Sequence, residues 1–395
     1  MSEAARPLRV LTFLHSFEPG GVERVALRLH GAWRASGVDS LLVMGRTEGA
    51  MQREWPGLVP DEVFEKPGSF PTRAWETLWM ILRLPGAIRR LRPDVLFCAG
   101  NSYTVVSVAM RLLLGQRCPP IIAKMSNDLY RTDLPVVARP FYRLWLRIQG
   151  RTLDRIVGMA PPMHAEIEET MQATPERIAI IDDPSLDEAD IVRLRDAPRP
   201  APEAGMGRRF LAIGRLAGQK NFALLIEAFA RMARPGDRLT ILGEGAERKG
   251  LEALAHKLGV AQAVRMPGHV NPVEPALLDA DALVMSSDYE GVPAVVPEAL
   301  AAGLPIAATA CSVSMGDLLG EGRFGLLVPV RDADALARAM DAIVTMPFDR
   351  TAAREQARRF TVQIAAGRYR HEMEGLVRDT IHTGTNPVAS RPGSM

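Results

Sequence analysis

A regular alternation of short apolar runs with longer amphipathic stretches constrains the fold of this 395-residue chain more than any other feature. The runs are rich in Val, Ile and Leu, and most are followed by residues with helical periodicity. Such alternation is typical of parallel sheets whose strands are joined by crossover helices, and therefore of the α/β class. In the first half, the predicted strands span residues 10–14, 41–44, 94–98, 121–124, 155–159 and 178–181.

The alternation is interrupted once, over residues 186–208, by a stretch that is first acidic and then rich in Pro, Ala and Gly. Such a composition buries little apolar surface and predicts an interdomain linker. Two doubly wound, Rossmann-like domains are therefore predicted, facing a cleft in which ligands bind at the carboxyl ends of the strands. In the second half, the predicted strands span residues 210–213, 239–242, 264–266, 282–285, 306–309 and 326–328.

The domain bounds follow from this pattern. Residues 361–380 are predicted to form a helix that packs back on the first domain, and the polar tail after it is predicted to be disordered. The predicted segments are a first domain at 1–190, a linker at 191–208, a second domain at 209–360, the helix at 361–380 and the tail at 381–395.

Composition excludes several classes of protein. The 48 Lys and Arg nearly balance the 46 Asp and Glu, so the net charge gives no reason to expect nucleic acid as a partner. Cys98, Cys118 and Cys311 lack CxxC spacing, which argues against a disulfide framework or a structural zinc site and fits a reducing cytoplasm. Neither a standard secretory signal nor a run of about 18 apolar residues is found, so a cytoplasmic protein is expected.

Two glutamates, Glu290 and Glu298, stand eight positions apart between two predicted buried strands. Glu290 lies in a loop with Gly and Pro at a strand's carboxyl end, and Glu298 lies near the start of a short helix. Such carboxylates can accept hydrogen bonds from sugar hydroxyls, and one of them can accept both hydroxyls of a ribose. Alternatively, Glu298 only complements the helix dipole and Glu290 is a solvated loop residue.

Two cations follow the first strand of the second domain, in the run GRLAGQKN that begins at Gly214. Asn221 is predicted to cap the next helix. The Arg215 guanidinium and the Lys220 ammonium would then lie in a loop that leads into a helix N-terminus, a favourable place for a diphosphate. The alternative is that both cations are simply solvated, as is usual in polar loops.

Glycines at two other strand-to-helix turns would allow a ligand to approach the backbone closely. Gly243 begins a GEG turn after a strand of the second domain, and Gly20 with Gly21 precedes the first helix. Without side chains, these residues would let a nucleotide, a phosphate or an acceptor reach backbone amides. Alternatively, both sets of glycines form ordinary strand-to-helix turns. A bare GxG, as in the GEG turn, is a weak signal for a ligand site.

In their order along the chain, these motifs resemble those of the retaining glycosyltransferases of family four, which have the GT-B fold. The resemblance covers most of the chain and implies an acceptor-side domain followed by a nucleotide-sugar-binding domain. It rests on GGVER from Gly20, GRLxxxKN from Gly214, GEG from Gly243, PGHV from Pro267, and Glu290 and Glu298 with EALAAGLPIAAT.

The resemblance also implies roles for these residues. Arg215 and Lys220 would hold the donor's diphosphate, and Glu298 would hold the ribose hydroxyls. Glu290 and the backbone of the two residues after it would hold the transferred sugar, while residues 265–268 would form the base pocket. The predicted donor-binding residues are Gly21, Arg215, Lys220, Gly243, Gly291, Val292 and Glu298.

This chain departs from the family's pattern at one position. Family members often carry a histidine close to the donor sugar, in the loop after the fourth strand of the first domain, but residues 124–131 contain none. Asn127 or Asp128 would take over its hydrogen bond, so these two residues and Glu290 are the predicted catalytic residues. His15 ends an apolar strand, and such a histidine is more often structural than catalytic.

The mechanism that the resemblance implies is front-face substitution with retention at the anomeric carbon, which needs no protein nucleophile. Arg215 and Lys220 would stabilise the departing diphosphate in place of a metal ion. The DADAL run from Asp332 has the pattern of a metal motif, but it begins a late helix, so Asp332 is interpreted as a helix cap. No cofactor or metal is expected, and the expected donor is a UDP-sugar, with a GDP-sugar as the second choice.

The acceptor-side domain carries an uneven charge, with 14 Lys and Arg against 5 Asp and Glu over residues 70–155. Residues 70–93 and 136–155 interleave arginines with apolar and aromatic side chains, as expected for helices at an anionic membrane surface. A lipid-linked glycan acceptor and peripheral contact with the inner face of the cytoplasmic membrane would follow. Alternatively, the aromatic faces pack on the sheet and the arginines are solvated, as in most crossover helices.

Other classes of function use similar folds. A dinucleotide oxidoreductase would need a GxGxxG turn after the first strand, which this chain lacks. A sugar-nucleotide epimerase or a phosphorylase would use the same cleft and phosphate contacts, and analysis of the products separates these from a transferase. The missing histidine leaves a non-catalytic sugar-binding scaffold as a third alternative.

Overall fold

The computed structural model describes residues 6–17, 20–64, 75–127, 129–130, 134–199 and 207–382. The chain divides into two compact units, one of Met1–Pro184 with Val362–Met395 and one of Ser185–Thr361. Each unit contains one sheet, and the strand pairings among the described residues are parallel throughout. The predicted α/β class with two Rossmann-like sheets is therefore confirmed. Within the described part of the chain, no helix is both long and apolar enough to cross a membrane.

The first unit is built on a seven-stranded sheet in the order β3-β2-β1-β4-β5-β6-β7. All six strands predicted for this half are present, with ends that shift by one or two residues. The short edge strand β3 was missed because its two half-buried residues form no apolar run. The strands are β1 Arg9–Leu14, β2 Asp39–Met44, β3 Glu62–Val63, β4 Val95–Cys98, β5 Ile121–Lys124, β6 Arg155–Gly158 and β7 Ile178–Ile180.

Helices connect the strands of this sheet, and consecutive helices from the second to the fifth pack side by side. The first helix begins directly after Gly20, whose extended backbone leads out of the turn that follows β1. The helices of the first unit are α1 Gly21–Ala35, α2 Glu76–Leu91, α3 Thr104–Leu114, α4 Arg139–Thr152, α5 Met163–Met171 and the C-terminal α14 Val362–His382.

The C-terminal helix α14 belongs to the first unit, where it packs against α1. Three buried aromatic rings join them: Phe97 of β4 lies edge-on to Trp33 of α1, at 5.1 Å between centroids, and to Tyr369 of α14, at 5.3 Å. The Trp33 indole also donates a hydrogen bond to the carbonyl of Ala366 at 3.2 Å. Buried aromatic pairs of this kind contribute about 0.5–1.5 kcal/mol each beyond the area they bury. Of the predicted tail, the first two residues end α14 and residues 383–395 lie outside the described residues.

The second unit is built on a six-stranded sheet in the order β10-β9-β8-β11-β12-β13, and all six predicted strands are present. Its strands are β8 Arg209–Ile213, β9 Arg238–Leu242, β10 Val264–Gly268, β11 Ala282–Met285, β12 Ile306–Thr309 and β13 Gly325–Val328. Its helices are α6 Glu188–Asp196, α7 Phe222–Met232, α8 Arg248–Lys257, α9 Glu274–Asp279, α10 Val295–Ala301, α11 Met315–Leu318, α12 Ala333–Ile343 and α13 Arg350–Arg358.

Both faces of this second sheet are covered by helices. Successive side chains of a strand point to opposite faces, so Phe210 and Leu211 of β8 enter two separate apolar clusters. α10 and α13 pack on one side, where their buried residues join the cluster of Leu211, and α7 and α12 pack on the other. The strands of a parallel sheet that is covered on both faces must be apolar throughout, because side chains on both faces are buried. The apolar runs in the sequence therefore predicted these strands.

The predicted linker at 191–208 begins inside a helix. Asp187 caps α6 with a capping box that it shares with Asp190, and the buried side chains of Ile191 and Leu194 join the core of the second unit. The first domain predicted at 1–190 therefore ends too late, because the division between the units falls at Pro184. The acidic appearance of this stretch concealed two core residues spaced three apart, while residues 200–206 lie outside the described residues.

Candidate functional site

In the second unit, two neighbouring turns at the carboxyl end of the sheet support the loop that contains the predicted cations. The amide of Gly214, just after β8, donates to the carbonyl of Leu242 at 2.9 Å, and Leu216 donates to Glu244 at the same distance. Gly243 has a φ of 143°, and a Cβ there would lie 1.9 Å from the carbonyl oxygen of Gly214. Packing between two backbones therefore explains why this position requires glycine.

The loop ends in a short 3-10 helix, Gly218–Lys220, that leads into α7. Asn221 adopts a left-handed conformation and caps α7, because its side chain accepts a hydrogen bond from the amide of Leu224 at 3.3 Å. The predicted capping role of Asn221 is thus confirmed. The cap fixes the end of the loop and with it the position of Lys220.

Lys220 and Glu290, two of the predicted site residues, form an ion pair at 2.5 Å between Nζ and Oε1. Their side chains are 20% and 10% exposed, so the pair is largely removed from solvent. The Ser287 hydroxyl donates to the same carboxylate oxygen at 2.8 Å, and the Gln219 amide lies 3.5 Å from the other oxygen. Glu290 is thus held by three neighbouring groups, which gives its carboxylate a defined orientation.

A second carboxylate, Asp288, ties the two loops together. Its oxygens accept from the Asn221 side chain at 2.9 Å and from Arg331 at 2.8 Å, and its amide donates to the Gln219 carbonyl at 2.9 Å. The sequence analysis did not assign a role to Asp288, although it stands two residues before Glu290. Its contacts are internal, so its function is to position the loop after β11 against the loop after β8.

Other predicted residues lie in the same two loops, after β8 and after β11. Among the described residues, neither the exposed Arg215 side chain nor the amides of Gly291 and Val292 have a hydrogen-bond partner. Gly291 is buried, and its carbonyl accepts from the hydroxyl of Ser314 at 3.0 Å. Free donors beside a fixed carboxylate can bind a ligand that is both anionic and hydroxylated.

The remaining predicted residues of this unit lie on helices. Glu298 is half-buried in the first turn of α10, the helix that follows the loop of Glu290. Asp332 caps α12 by accepting from the amide of Ala335 at 2.8 Å, which confirms its interpretation as a helix cap.

Cys311 lies near Glu290, whose amide donates to the Cys311 carbonyl at 2.9 Å. Burial, with a smaller effect from the Glu290 carboxylate, raises the pKa of the Cys311 thiol to about 12. A thiol with such a pKa is protonated at neutral pH, and the thiolate is the reactive form of cysteine. Cys311 is therefore not a nucleophile for this site.

In the first unit, the carboxyl end of β1 carries a polar cluster that the sequence analysis missed. The Tyr103 hydroxyl donates to Glu23 of α1 at 2.8 Å and accepts from the amide of His15 at 3.3 Å. The rings of His15 and Tyr103 stack at 4.9 Å between centroids. Burial, opposed in part by Glu23, lowers the pKa of His15, so its imidazole is neutral at pH 7. Spacing gave no signal for this cluster, because its members are separated by many residues.

The loop after β5, which lacks the family's histidine, is tied to the loop after β4. The Asn101 side chain accepts from the Ser126 amide at 2.7 Å, and the Asn101 amide donates to the Ser126 hydroxyl at 3.3 Å. The predicted residue Asn127 follows directly and is exposed, whereas Asp128 lies outside the described residues. At Gly21 a Cβ would meet no atom within 4 Å, so protein packing does not require glycine there.

The two halves of the chain match two related families of glycosyltransferases. Residues 195–360 match the family described as Glycosyl transferases group 1, and residues 19–183 match Glycosyltransferase Family 4. The chain is also similar to the lipopolysaccharide core biosynthesis glycosyltransferase LpsE of Rhizobium meliloti, with 26% identity over 85% of this chain and 88% of the relative.

Solved structures share the fold over nearly the whole chain. The lipopolysaccharide outer core galactosyltransferase WaaB, in its apo form, superposes with a TM-score of 0.72 at 16% identity, over 93% of this chain and 99% of that chain. Anabaena HepE in complex with UDP superposes with a TM-score of 0.72 at 17% identity, over 93% and 100% of the two chains. At these identities the likeness shows the fold, and it confirms the GT-B fold that the sequence predicted.

Proposed function

Since this chain belongs to the group 1 glycosyltransferases, we propose that it transfers a sugar from a nucleoside-diphosphate sugar to a glycan acceptor during polysaccharide synthesis, with retention at the anomeric carbon. The relative LpsE is named for lipopolysaccharide core biosynthesis, which supports this class of acceptor. The ion pair between Lys220 and Glu290, beside free amides and the exposed Arg215, carries the proposal because it combines phosphate-binding and hydroxyl-binding groups.

The donor would bind by exchanging partners with this ion pair. In the free protein the Lys220 ammonium is bound to Glu290. A diphosphate would compete for Lys220 and recruit Arg215, because charged acceptors form the strongest hydrogen bonds with both side chains. The Glu290 carboxylate, released from Lys220 and still bound by Ser287, would then accept hydroxyl hydrogens of the transferred sugar. Glu298 would hold the ribose in this arrangement.

The reaction would proceed by front-face substitution, in which the acceptor hydroxyl attacks from the side on which the diphosphate leaves. The bond from the anomeric carbon to the diphosphate oxygen would break as the new glycosidic bond forms, and the hydroxyl proton would pass to the leaving diphosphate. The negative charge that develops on the diphosphate would be stabilised by Lys220 and Arg215, without a metal ion. The complex of HepE with UDP supports a uridine nucleotide, with a GDP-sugar as the alternative. In the first unit, the exposed Asn127 amide would supply the polar contact for which other family members use histidine.

The proposal includes peripheral binding to an anionic membrane through residues 75–93 and 136–155, while residues 70–74 lie outside the described residues. Both helices are apolar on two faces: α2 buries Met80 and Leu84 yet leaves Leu82 63% exposed, and α4 buries Leu146 yet leaves Phe141 76% exposed. An ordinary crossover helix exposes a polar face instead. Exposed apolar side chains among arginines fit the interface of a bilayer with anionic lipids.

Vesicle binding tests this part of the proposal. Sedimentation with vesicles of anionic phospholipid should bind the protein, and Leu82→Glu or Phe141→Glu should reduce the bound fraction severalfold. The matched control is Leu258→Glu, which alters an exposed leucine of the second unit. Equal binding of all four proteins, or of none, would contradict a membrane role for α2 and α4.

Product analysis tests the activity itself. The protein is incubated with UDP-sugars and GDP-sugars and a glycan extract as acceptor, and both the glycan and the nucleotide are identified. A transferase yields a lengthened glycan and free UDP or GDP with an α-configured bond from an α-configured donor. An altered nucleotide sugar would indicate an epimerase, and binding without turnover would indicate a scaffold. In a parallel incubation with added inorganic phosphate, release of a sugar phosphate from the glycan would indicate a phosphorylase.

A further inference from the structure

Helix α3 of the first unit has two apolar sides. Its inner side is buried, and Met110 on that side has no exposed surface. Its outer side carries Val105, Leu112 and Leu113, which are seven and eight residues apart and therefore lie together on the helix. All three are exposed, the two leucines by 74% and 59%. We call these three residues the outer face of α3.

The polar residues of α3 lie on its inside instead. Thr104 and Ser107 have no exposed surface, and each hydroxyl donates to a backbone carbonyl three or four residues earlier, at 2.8 and 3.2 Å. Arg111, the one charged residue of the helix, is half-buried and forms an ion pair with Asp154. A crossover helix at a protein surface ordinarily buries its apolar residues and exposes its polar ones. The distribution in α3 is the reverse, which indicates a second apolar environment for its outer face.

The outer face of α3 continues onto both neighbouring helices. α3 packs against α2 on one side and against α4 on the other. Both neighbours also present exposed leucines, Leu82 of α2 and Leu144 of α4. The exposed Arg83 lies next to Leu82 in the chain, and the exposed Arg147 follows Leu144 by three residues. The three helices thus present an apolar centre, formed by α3, with arginines on the two outer helices.

We propose that the outer face of α3 inserts into the acyl-chain region of an anionic membrane, with the arginines of α2 and α4 at the lipid headgroups. The inference rests on the membrane contact included in the proposed function, and it deepens that contact by naming α3 as the helix that inserts. Removal of leucine side chains from water is favourable at any salt concentration, whereas attraction between arginines and anionic lipids is screened by salt. Membrane binding through α3 therefore has a component that salt does not remove.

A second copy of the chain fits this surface less well than a membrane does. An isologous dimer places the same patch on both sides of its interface, so α2 and α4 of one protomer would face α2 or α4 of its partner. Both helices carry exposed arginines, such as Arg83 and Arg147, and like charges across an interface are unfavourable. An anionic lipid surface instead places negative charge opposite both helices.

Site-specific fluorescence tests whether α3 inserts. Cys98, Cys118 and Cys311 are all buried, so a thiol-reactive, environment-sensitive fluorophore such as NBD labels Leu113→Cys selectively. Vesicles that contain phosphatidylglycerol should shift the emission of the labelled protein to shorter wavelength. Lipids with a nitroxide on the acyl chain should quench this emission. Unchanged emission from protein that sediments with the vesicles would overturn the proposal.

The matched control is Ile364→Cys, which places the same fluorophore at an exposed position of α14 in the same unit. Crossovers between parallel strands are right-handed. The chain crosses the sheet in one direction from β1 to β2 and in the other direction from β4 to β6, so α1 and α3 lie on opposite faces of the sheet. Since α14 packs against α1, the emission of this control should not change when vesicles are added.

Sedimentation at high salt separates apolar insertion from attraction between charges. At about 1 M salt the Debye length falls to about 3 Å, so the arginines contribute little to vesicle binding. Under these conditions the double variant Leu112→Ser and Leu113→Ser should partition to vesicles about tenfold less than the wild type, or weaker still. Leu258→Ser, which alters an exposed leucine of the second unit, should partition as the wild type does. An unchanged Tm shows that each variant is folded.

The outcomes separate this inference from the proposed function. Complete release of the wild type at high salt, or equal partition of the double variant and the wild type, would overturn insertion of α3 and leave the charge-dependent contact of α2 and α4 in place. Absence of vesicle binding at low salt would overturn both, while product analysis still tests sugar transfer. A dimer of the lipid-free protein that Leu112→Ser and Leu113→Ser dissociate, as seen by sedimentation velocity, would make the outer face an interface between copies and overturn the proposal.

Discussion

Breaking the ion pair between Lys220 and Glu290 should lower the free energy of unfolding by an amount that the burial and the partners of the pair determine. Lys220→Met removes the ammonium but keeps an unbranched stem against Gly214, where the lysine carbons would lie 3.2–3.3 Å from a Cβ. Glu290→Gln removes the negative charge but keeps an oxygen that accepts from the Ser287 hydroxyl. The double variant removes both charges, so the three proteins and the wild type form a complete double-mutant cycle.

The expected magnitude lies between two limits. Exposed ion pairs contribute about 0–1 kcal/mol, whereas breaking a fully buried pair costs about 3–5 kcal/mol. With side chains 20% and 10% exposed, the pair is nearer to the buried limit, but Ser287 continues to bind the carboxylate when Lys220 is lost. We therefore expect Lys220→Met to lower the free energy of unfolding of the second unit by about 2 kcal/mol, with a coupling energy of about 1–2 kcal/mol between the two positions.

Thermal unfolding without ligand measures this cycle. For a domain of 150–250 residues, about 2 kcal/mol corresponds to a decrease in Tm of roughly 4–8 °C. The control is Lys249→Met on α8, which alters an exposed lysine that has no ion pair among the described residues, and it should leave Tm unchanged. If the effects of Lys220→Met and Glu290→Gln were simply additive, the ion pair would not form in solution, and the proposed exchange of partners would be wrong.

Three further predictions concern other contacts. Asp237→Asn should destabilise the second unit by about 2–3 kcal/mol, because the buried carboxylate accepts from Arg208 and from backbone amides. Burial would raise the pKa of Asp237, but these hydrogen bonds outweigh burial and lower the pKa. The stabilisation is therefore complete above about pH 4 and is lost as the pH falls through the lowered pKa. In acid, the free energies of unfolding of wild type and variant, measured with denaturant, should converge. Gly243→Ala should lower the free energy of unfolding of the second unit by several kcal/mol and prevent its folding, because a Cβ would overlap the Gly214 carbonyl oxygen. Limited proteolysis checks whether the second unit is folded. Normal stability of the variant would refute the backbone contact with Gly214. Tyr103→Phe keeps the ring stacked but removes the hydrogen bond to Glu23, so unfolding should become easier by about 1 kcal/mol while UDP affinity stays unchanged.

The strands could be predicted from the sequence because buried parallel strands require continuous apolar runs, and all twelve predicted runs form strands. The two errors have the same origin. β3 has only two residues and no run, and α6 presents Ile191 and Leu194 among acidic neighbours, so local composition carried too little information about burial. The division of the chain at Pro184 depends on packing that no window of sequence contains.

The candidate site was predicted in part. Lys220 and Glu290 are 70 residues apart, and their motifs implied nearby positions, but only the structure shows that they bind each other. The backbone contact between Gly243 and Gly214 explains why a glycine is needed there, while the donor-binding role of Gly243 stays a prediction. The cluster of Tyr103 with Glu23 could not be predicted, because it joins elements that are distant in sequence and carry no shared motif.

The most direct test of the central claim is the affinity of the protein for UDP, measured by calorimetry in the wild type, in Lys220→Met and in the control Lys249→Met. Loss of a hydrogen bond to a charged group costs about 1.5–3 kcal/mol, so Lys220→Met should weaken UDP binding about 10- to 100-fold, while the control binds as the wild type does. If the wild type bound neither UDP nor GDP, or if Lys220→Met bound UDP as tightly as the control, the loop of Lys220 and Glu290 would not be the donor site.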